Sequence, residues 1–284
     1  MPESPEVQAL AETLDERLTG RALVAVDLIE FRALKTRARP LAELVGARVT
    51  GASRIGKHLD LAFGDVHLVV SLGRYGWARL ETSGEAAPEP VTEHGPPALA
   101  ELSFDGGAAH DGGVTLTLTD AGSWVSLGLH VVADPGEVPA IAKLGADPVD
   151  PGFTRAGLDA VVVGRRKQLK ALLQEQESLA GIGNAYSDEI LHRARLSPVV
   201  HASALDEAAR ERLFAATTAT LREAIAERRG IPIDRLKAAK VAAMRVHGRA
   251  GEACPVCGDT ILERAHGSTT GSYCPTCQSD DRIF

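Results

Sequence analysis

The chain of 284 residues is marked first by what it lacks. It has no run of about 18 apolar residues, and its start has no basic segment followed by an apolar one, so neither a membrane span nor a secretory signal is expected. It has no cysteine before position 254; all four fall in the last 31 residues. In a reducing compartment that placement argues for metal rather than disulfides. It also lacks an overall basic charge: the formal net charge is −7. The distribution says more than the sum. Residues 1–163 hold 13 Lys/Arg against 23 Asp/Glu, residues 164–250 hold 16 against 10, and residues 251–284 hold 2 against 5. A basic segment inside an acidic protein is where a phosphate-binding surface is expected, although a helical segment can also simply carry solvated arginines.

What is present begins at the first residues, Met1-Pro2-Glu3-Ser4-Pro5-Glu6-Val7. With the initiator methionine removed, Pro2 is an N-terminal secondary amine that titrates well below a lysine and can attack a sugar carbon to form an iminium. Glu3 beside it can move a proton, with Glu6 one helical turn further on. The plain structural reading also applies: Ser4 is an N-cap, Pro5 the first helical residue, and the glutamates suit a helix start. Val7, Leu10, Leu14 and Leu18 then repeat at helical spacing up to Gly20.

From Ala22 to about Val132 the period becomes two. Strands are expected over 22–29, 48–53, 58–63, 67–72, 77–81, 114–119 and 124–132, as an antiparallel sandwich or barrel. The intervals 82–98 and 105–113 read as loops. Pro and Gly around 134–152 mark a hinge, after which helical periodicity dominates: helices are expected to about Val162, through Lys167, Leu169, Leu172 and Leu173, and over 185–195, 206–228 and 234–243. Between the second and third lies Gly181-Ile182-Gly183-Asn184, whose glycines let backbone approach a ligand and whose following helix N-terminus suits a phosphate. Cys254-Pro-Val-Cys257 and Cys274-Pro-Thr-Cys277, separated by 16 residues, suit a closed four-thiolate zinc site of structural kind. The ribbon between them, residues 258–273, reads as a β-hairpin.

Taken together, MPESPEV, Gly56-Lys57-His58, GIGNAYSDEIL and the paired Cys-x-x-Cys motifs resemble the formamidopyrimidine-DNA glycosylase and endonuclease VIII family, over nearly the whole chain. The resemblance implies a bifunctional base-excision repair enzyme, a DNA glycosylase and abasic-site lyase. Its nucleophile is Pro2, its proton carrier Glu3, and Lys57 contacts the DNA backbone and assists catalysis. Asn184 lies in the helix–two-turn–helix that grips phosphates, Arg74 and Tyr75 lie in a turn that wedges into the duplex, and Glu189 matches a buried carboxylate for which a structural role is as good a reading as any other. The implied architecture is α+β and multidomain. A helix and antiparallel β-sandwich occupy 1–134, a hinge 135–153, a helix–two-turn–helix domain 154–245 and a zinc ribbon 246–284. The implied partner is damaged DNA, with one structural Zn2+, no membrane, a monomeric state and a bacterial cytoplasmic location.

Two departures bear on activity. Family members carry an arginine at the ribbon tip where this chain has Thr269; loss of that charge-assisted phosphate contact costs about 1.5 to 3 kcal/mol if nothing replaces it. Arg264 lies on the same ribbon in a different register. The formamidopyrimidine branch also has an Asp-Pro-Arg-Arg-Phe loop, and Ser126–His130, read as its counterpart, has neither the arginine nor the phenylalanine. With Tyr75, this places the chain nearer the endonuclease VIII branch and points to oxidised pyrimidines. The competing reading is a damage-binding protein that has lost catalysis.

Overall fold

The computed structural model describes residues 1–83, 95–106, 112–266 and 269–278, without the side chains of His266 and Thr269. The greater part of each expected loop, 84–94 and 107–111, therefore lies outside the described residues. The chain forms two units. One comprises residues 1–2, 6–142 and 229–237, and the other 3–5, 143–228 and 238–284.

In the first unit, Val7, Leu10, Leu14 and Leu18 of α1 (Ser4–Leu18) fall on one buried face, as their spacing requires. Among the described residues eight strands follow: β1 (Leu23–Asp27), β2 (Gly51–Ile55), β3 (His58–Ala62), β4 (His67–Ser71), β5 (Gly76–Thr82), β6 (Ala98–Phe104), β7 (Val114–Asp120) and β8 (Gly128–Val132). They pair antiparallel into two four-stranded sheets, ordered β1-β6-β7-β5 and β2-β3-β4-β8. Leu59, Leu61, Leu68 and Val70 of one sheet and Ala100, Leu102, Leu116 and Leu118 of the other join the α1 leucines in one core. A short helix, α2 (Pro139–Ala142), closes this part.

Two expectations are corrected here. Residues 98–104, left unassigned by the periodicity, form β6 between β1 and β7. Alternate residues Ala100, Leu102 and Phe104 are buried, but alanine has weak strand preference and hides the period. The last strand begins at Gly128 rather than Trp124. Residues 121–127 form a loop instead, because the Asp120 carboxylate accepts from the N–H groups of Gly122, Ser126 and Leu127 and from the Ser126 hydroxyl, at 2.8–2.9 Å. An aspartate bonding the backbone ahead of it holds a turn and prevents an extended strand.

The second unit holds α3 (Arg155–Val162), α4 (Leu169–Leu173), α5 (Asn184–Ala194), α6 (Glu207–Arg228), most of α7 (Leu236–Ala243), and the ribbon strands β9 (Leu262–His266) and β10 (Thr269–Tyr273). Leu158, Leu172, Leu173, Tyr186, Ile190, Leu213 and Leu221 belong to its main core. The ribbon is an antiparallel hairpin with Arg264 opposite Gly271, and Val246, Ile261, Cys254 and Cys274 form a small core of its own. The α+β reading thus holds, with antiparallel sheets, a helical region and a C-terminal cysteine cluster.

Candidate active site

In the second unit the Glu3 carboxylate, 2% exposed, is seated on the N-terminus of α5. It accepts from the N–H groups of Gly183 (2.5 Å), Ala185 (3.0 Å) and Tyr186 (3.3 Å), and the Lys240 ammonium lies 3.1 Å from Oε1. Unsatisfied N–H groups, the positive helix end and a lysine all suit the carboxylate form. Lys240 also lies 5.0 Å from the centroid of the Tyr186 ring. Gly183 is required for the approach, because a Cβ there would sit 2.6 Å from Glu3 Cδ. The chain is pinned again one residue on, where Ser4 N–H donates to the Gly181 carbonyl.

Asn184 opens α5. Gln174 donates to its Oδ1 at 3.1 Å. Beneath it, the fully buried Lys170 donates to Asp188 Oδ1 (2.5 Å), the Ser187 hydroxyl (3.1 Å) and the Asn184 carbonyl (3.2 Å). Burial pushes the Lys170 ammonium below its ordinary value, against the pull of Asp188 and Glu3. Asp188 Oδ2 accepts from His247 Nδ1 (2.8 Å) and from the Ser272 N–H of β10 (3.1 Å), so the network ties the Asn184 turn to the ribbon. Glu189, the next residue, accepts from the N–H groups of Arg245, Val246 and His247 at 2.9–3.1 Å and holds the chain where it enters the ribbon.

The first unit places the remaining residues. Pro2 is buried and Met1 exposed. Lys57 occupies the two-residue turn between Ile55 and His58, with Gly56 at a φ of 60°. Arg54 braces that turn, donating to the Gly56 carbonyl (2.8 Å) and to Gln8 Oε1 of α1 (3.0 Å). Tyr75 lies in the β4–β5 turn, 38% exposed, with the Arg74 guanidinium 5.4 Å from its ring centroid, whereas Trp77 is buried and donates to the Ile233 carbonyl.

The 121–127 loop lies against the Tyr75 turn. Arg74 N–H donates to Ser126 Oγ, and a Cβ on Gly73 or Gly122 would strike Ser126 or Tyr75. On this loop Trp124 is 67% exposed. Sequence reasoning missed it by assigning it to a strand and by reading Ser126–His130, which runs into β8, as the counterpart of a functional loop. The usable signal was an aspartate followed by Ala-Gly-Ser, a turn composition, directly before a tryptophan. Lys170 and Lys240 were also missed, and neither has a local motif.

The sulfur atoms of Cys254, Cys257, Cys274 and Cys277 all lie within 4.8 Å of one another, with Cys254–Cys277 at 3.8 Å and Cys257–Cys274 at 3.4 Å. Burial pushes the Cys277 thiol well up, and its three neighbours add to the shift. Cys254, despite its own burial, comes down to about 6 through the N–H groups of Val256 and Cys257 and through His192. Such crowded thiols ionise together only around a cation, and the donor set fits a metal ion. Thr269 begins β10 opposite His266; its side chain lies outside the described residues.

With this geometry in view, residues 1–121 match the family model described as the formamidopyrimidine-DNA glycosylase N-terminal domain, and residues 144–234 match the formamidopyrimidine-DNA glycosylase H2TH domain. The chain belongs to the formamidopyrimidine-DNA glycosylase family. A formamidopyrimidine-DNA glycosylase of Symbiobacterium thermophilum is 34% identical over 98% of this chain and 89% of its own length, and one from Thermus thermophilus is 33% identical over 99% of each. Among solved structures, the Thermus thermophilus MutM protein superposes with a TM-score of 0.80 at 30% identity, covering 98% of this chain and 99% of its own. The Lactococcus lactis formamidopyrimidine-DNA glycosylase, solved non-covalently bound to DNA containing an abasic site, gives 0.81 at 25% identity, covering 98% and 100%. The H2TH match includes α5, which carries Asn184, Asp188 and Glu189.

Proposed function

We propose that this protein is a bifunctional DNA glycosylase and abasic-site lyase of base-excision repair that removes oxidised bases, pyrimidines in the first place, and works as a monomer in the bacterial cytoplasm. The observation that carries this reading is the seating of Glu3: the residue following Pro2 is fixed on the helix end that presents Asn184. A side chain held by four donors next to a nucleophile is positioned for proton transfer.

Pro2 acts once Met1 is removed, because the lone pair of an acylated proline nitrogen is delocalised into the carbonyl and does not attack. The free amine adds to C1′ of the damaged nucleotide as the bond to the base breaks, and the base departs with a proton from water. Glu3 takes up the proton that the Pro2 nitrogen sheds and passes it to the sugar oxygen as the ring opens, leaving an iminium between Pro2 and C1′. Loss of a C2′ proton expels the 3′ phosphate and nicks the strand, and water then hydrolyses the iminium and restores the amine. Lys57 and Asn184 hold phosphates while the nucleotide is out of the stack. Tyr75, with Arg74 against its ring, fills the space the base leaves, and Trp124 on the adjoining loop adds a second aromatic surface. Cys254, Cys257, Cys274 and Cys277 would hold one Zn2+, which would supply a structural crosslink for the ribbon that carries Thr269.

The Thr269 substitution favours a second reading, a damage-binding protein without catalysis, and one experiment separates the two. Met1-processed protein is mixed with borohydride and labelled duplexes bearing an abasic site or single oxidised bases. The proposal expects a covalent adduct with the abasic duplex and with oxidised pyrimidines, absent from Pro2→Gly. Binding to the abasic duplex without any adduct would instead establish the damage-binding reading.

A further inference from the structure

The cysteine cluster has a neighbour from outside the ribbon. His192, buried on the last turn of α5, places Nε2 3.3 Å from Cys254 Sγ. Cys254 is itself buried. Backbone N–H groups of the ribbon's own knuckle, those of Val256 and Cys257, also bond this sulfur. They are what any Cys-x-x-Cys turn supplies to its first cysteine. His192 is different in kind, because it is a side chain contributed by a helix of the H2TH element.

Four thiolates around a divalent cation leave two excess negative charges, and in a partly buried site those charges need N–H donors. We infer that His192 is a positioning residue for the metal centre: its Nε2–H donates to the Cys254 thiolate, offsets part of the excess charge and fixes that ligand's direction. The ring contacts the ligand and not the metal. This rests on the zinc reading above. It has a further consequence along the helix. Asn184 lies eight residues N-terminal to His192 on α5, about 12 Å at the helical rise. One rigid helix therefore carries the phosphate-gripping turn at one end and a support of the metal ligand at the other. Between them Asp188 holds Ser272 of the ribbon.

The test uses the full-length protein and three substitutions. His192→Gln keeps an N–H donor at similar reach, while His192→Phe keeps a flat ring and His192→Leu keeps apolar bulk, both without a donor. Zn2+ affinity is read by competition with a chromogenic chelator, and Co2+-loaded protein is read by its sulfur-to-metal charge-transfer absorption. The expected result is a loss of affinity on the order of 10- to 100-fold in the Phe and Leu variants, the range usual for ligand-supporting groups. Their charge-transfer band should shift, and the Gln variant should stay close to wild type in both readouts. Equal losses in all three would make the role one of packing and overturn the inference. So would unchanged affinity and spectra in all three. A wild-type protein that takes up neither Zn2+ nor Co2+ removes the metal reading itself, and this inference with it.

Discussion

Two buried carboxylates, one seated on the N-terminus of α5 and one carried by that helix, meet backbone N–H groups in the same way and differ in what else they meet. Glu3 takes three N–H groups at the N-terminus of α5, and Lys240 stands beside it. Glu189, within the helix, takes three from Arg245, Val246 and His247. The Glu189 arrangement closes a turn and is complete as it stands. The Glu3 arrangement ends at a residue whose chain neighbour is the proposed nucleophile, and its glycine seat is shaped to let the carboxylate in. On the proposed function, similar donor geometry serves support in one place and chemistry in the other, and burial alone does not separate the two.

Substitution of each carboxylate by its amide should pull the pair apart. Glu3→Gln keeps the shape and removes the proton carrier, so excision should fall by about 10²- to 10⁴-fold in single-turnover assays while affinity for an abasic duplex is kept. Glu189→Gln turns an NH2 group toward backbone donors, which should cost about 1–3 kcal/mol of stability in a denaturant melt. Its rate per folded molecule should not change. If Glu189→Gln lost activity at full stability, the division between the two sites would be wrong.

The seat itself gives the next prediction. A methyl group at 183 would stand 2.6 Å from Glu3 Cδ, so Gly183→Ala must displace the carboxylate. Excision should drop on the order of 10²-fold, the usual penalty for a small misplacement. An alanine variant with wild-type rates would show that the Gly183 contact is dispensable.

The smallest effect concerns Glu175, just before the same turn. Lys167, with Ser178 and Arg165 adding to it, holds its carboxyl down to about 2 against an ordinary 4.5. A depressed carboxyl contributes stability that is present above about 4.5 and lost as pH falls toward 2. Because the group is largely solvent-screened, that contribution is below about 1 kcal/mol. Comparing acid melts of wild type and Glu175→Gln should show a shallower loss in the variant over that window. Identical acid limbs would remove Glu175 as a contributor.

Much of this was legible in the sequence because it rests on local rules. The cysteine spacing foretold the cluster, and the Gly-Ile-Gly-Asn run placed α5 within one residue of where it lies. The buried role of Glu189 was half legible, its burial but not its three partners. What escaped depends on distance or on weak local preference. Lys240 meets Glu3 across nearly the whole chain, and no spacing announces that pair. Lys170 reads as one lysine among many in a basic segment until Asp188 is seen against it. Ala98–Phe104 hides a strand behind alanines, and Trp124 was lost because alternating residues around it imitate a strand that Asp120 prevents.

The central claim, that Pro2 is the reacting amine, is tested most directly by locating the borohydride-reduced adduct in the processed protein by tandem mass spectrometry after trypsin. The account predicts the sugar remnant on the nitrogen of Pro2, in the N-terminal peptide spanning residues 2–17. A remnant on Lys57, or on any other lysine with Pro2 unmodified, would contradict it.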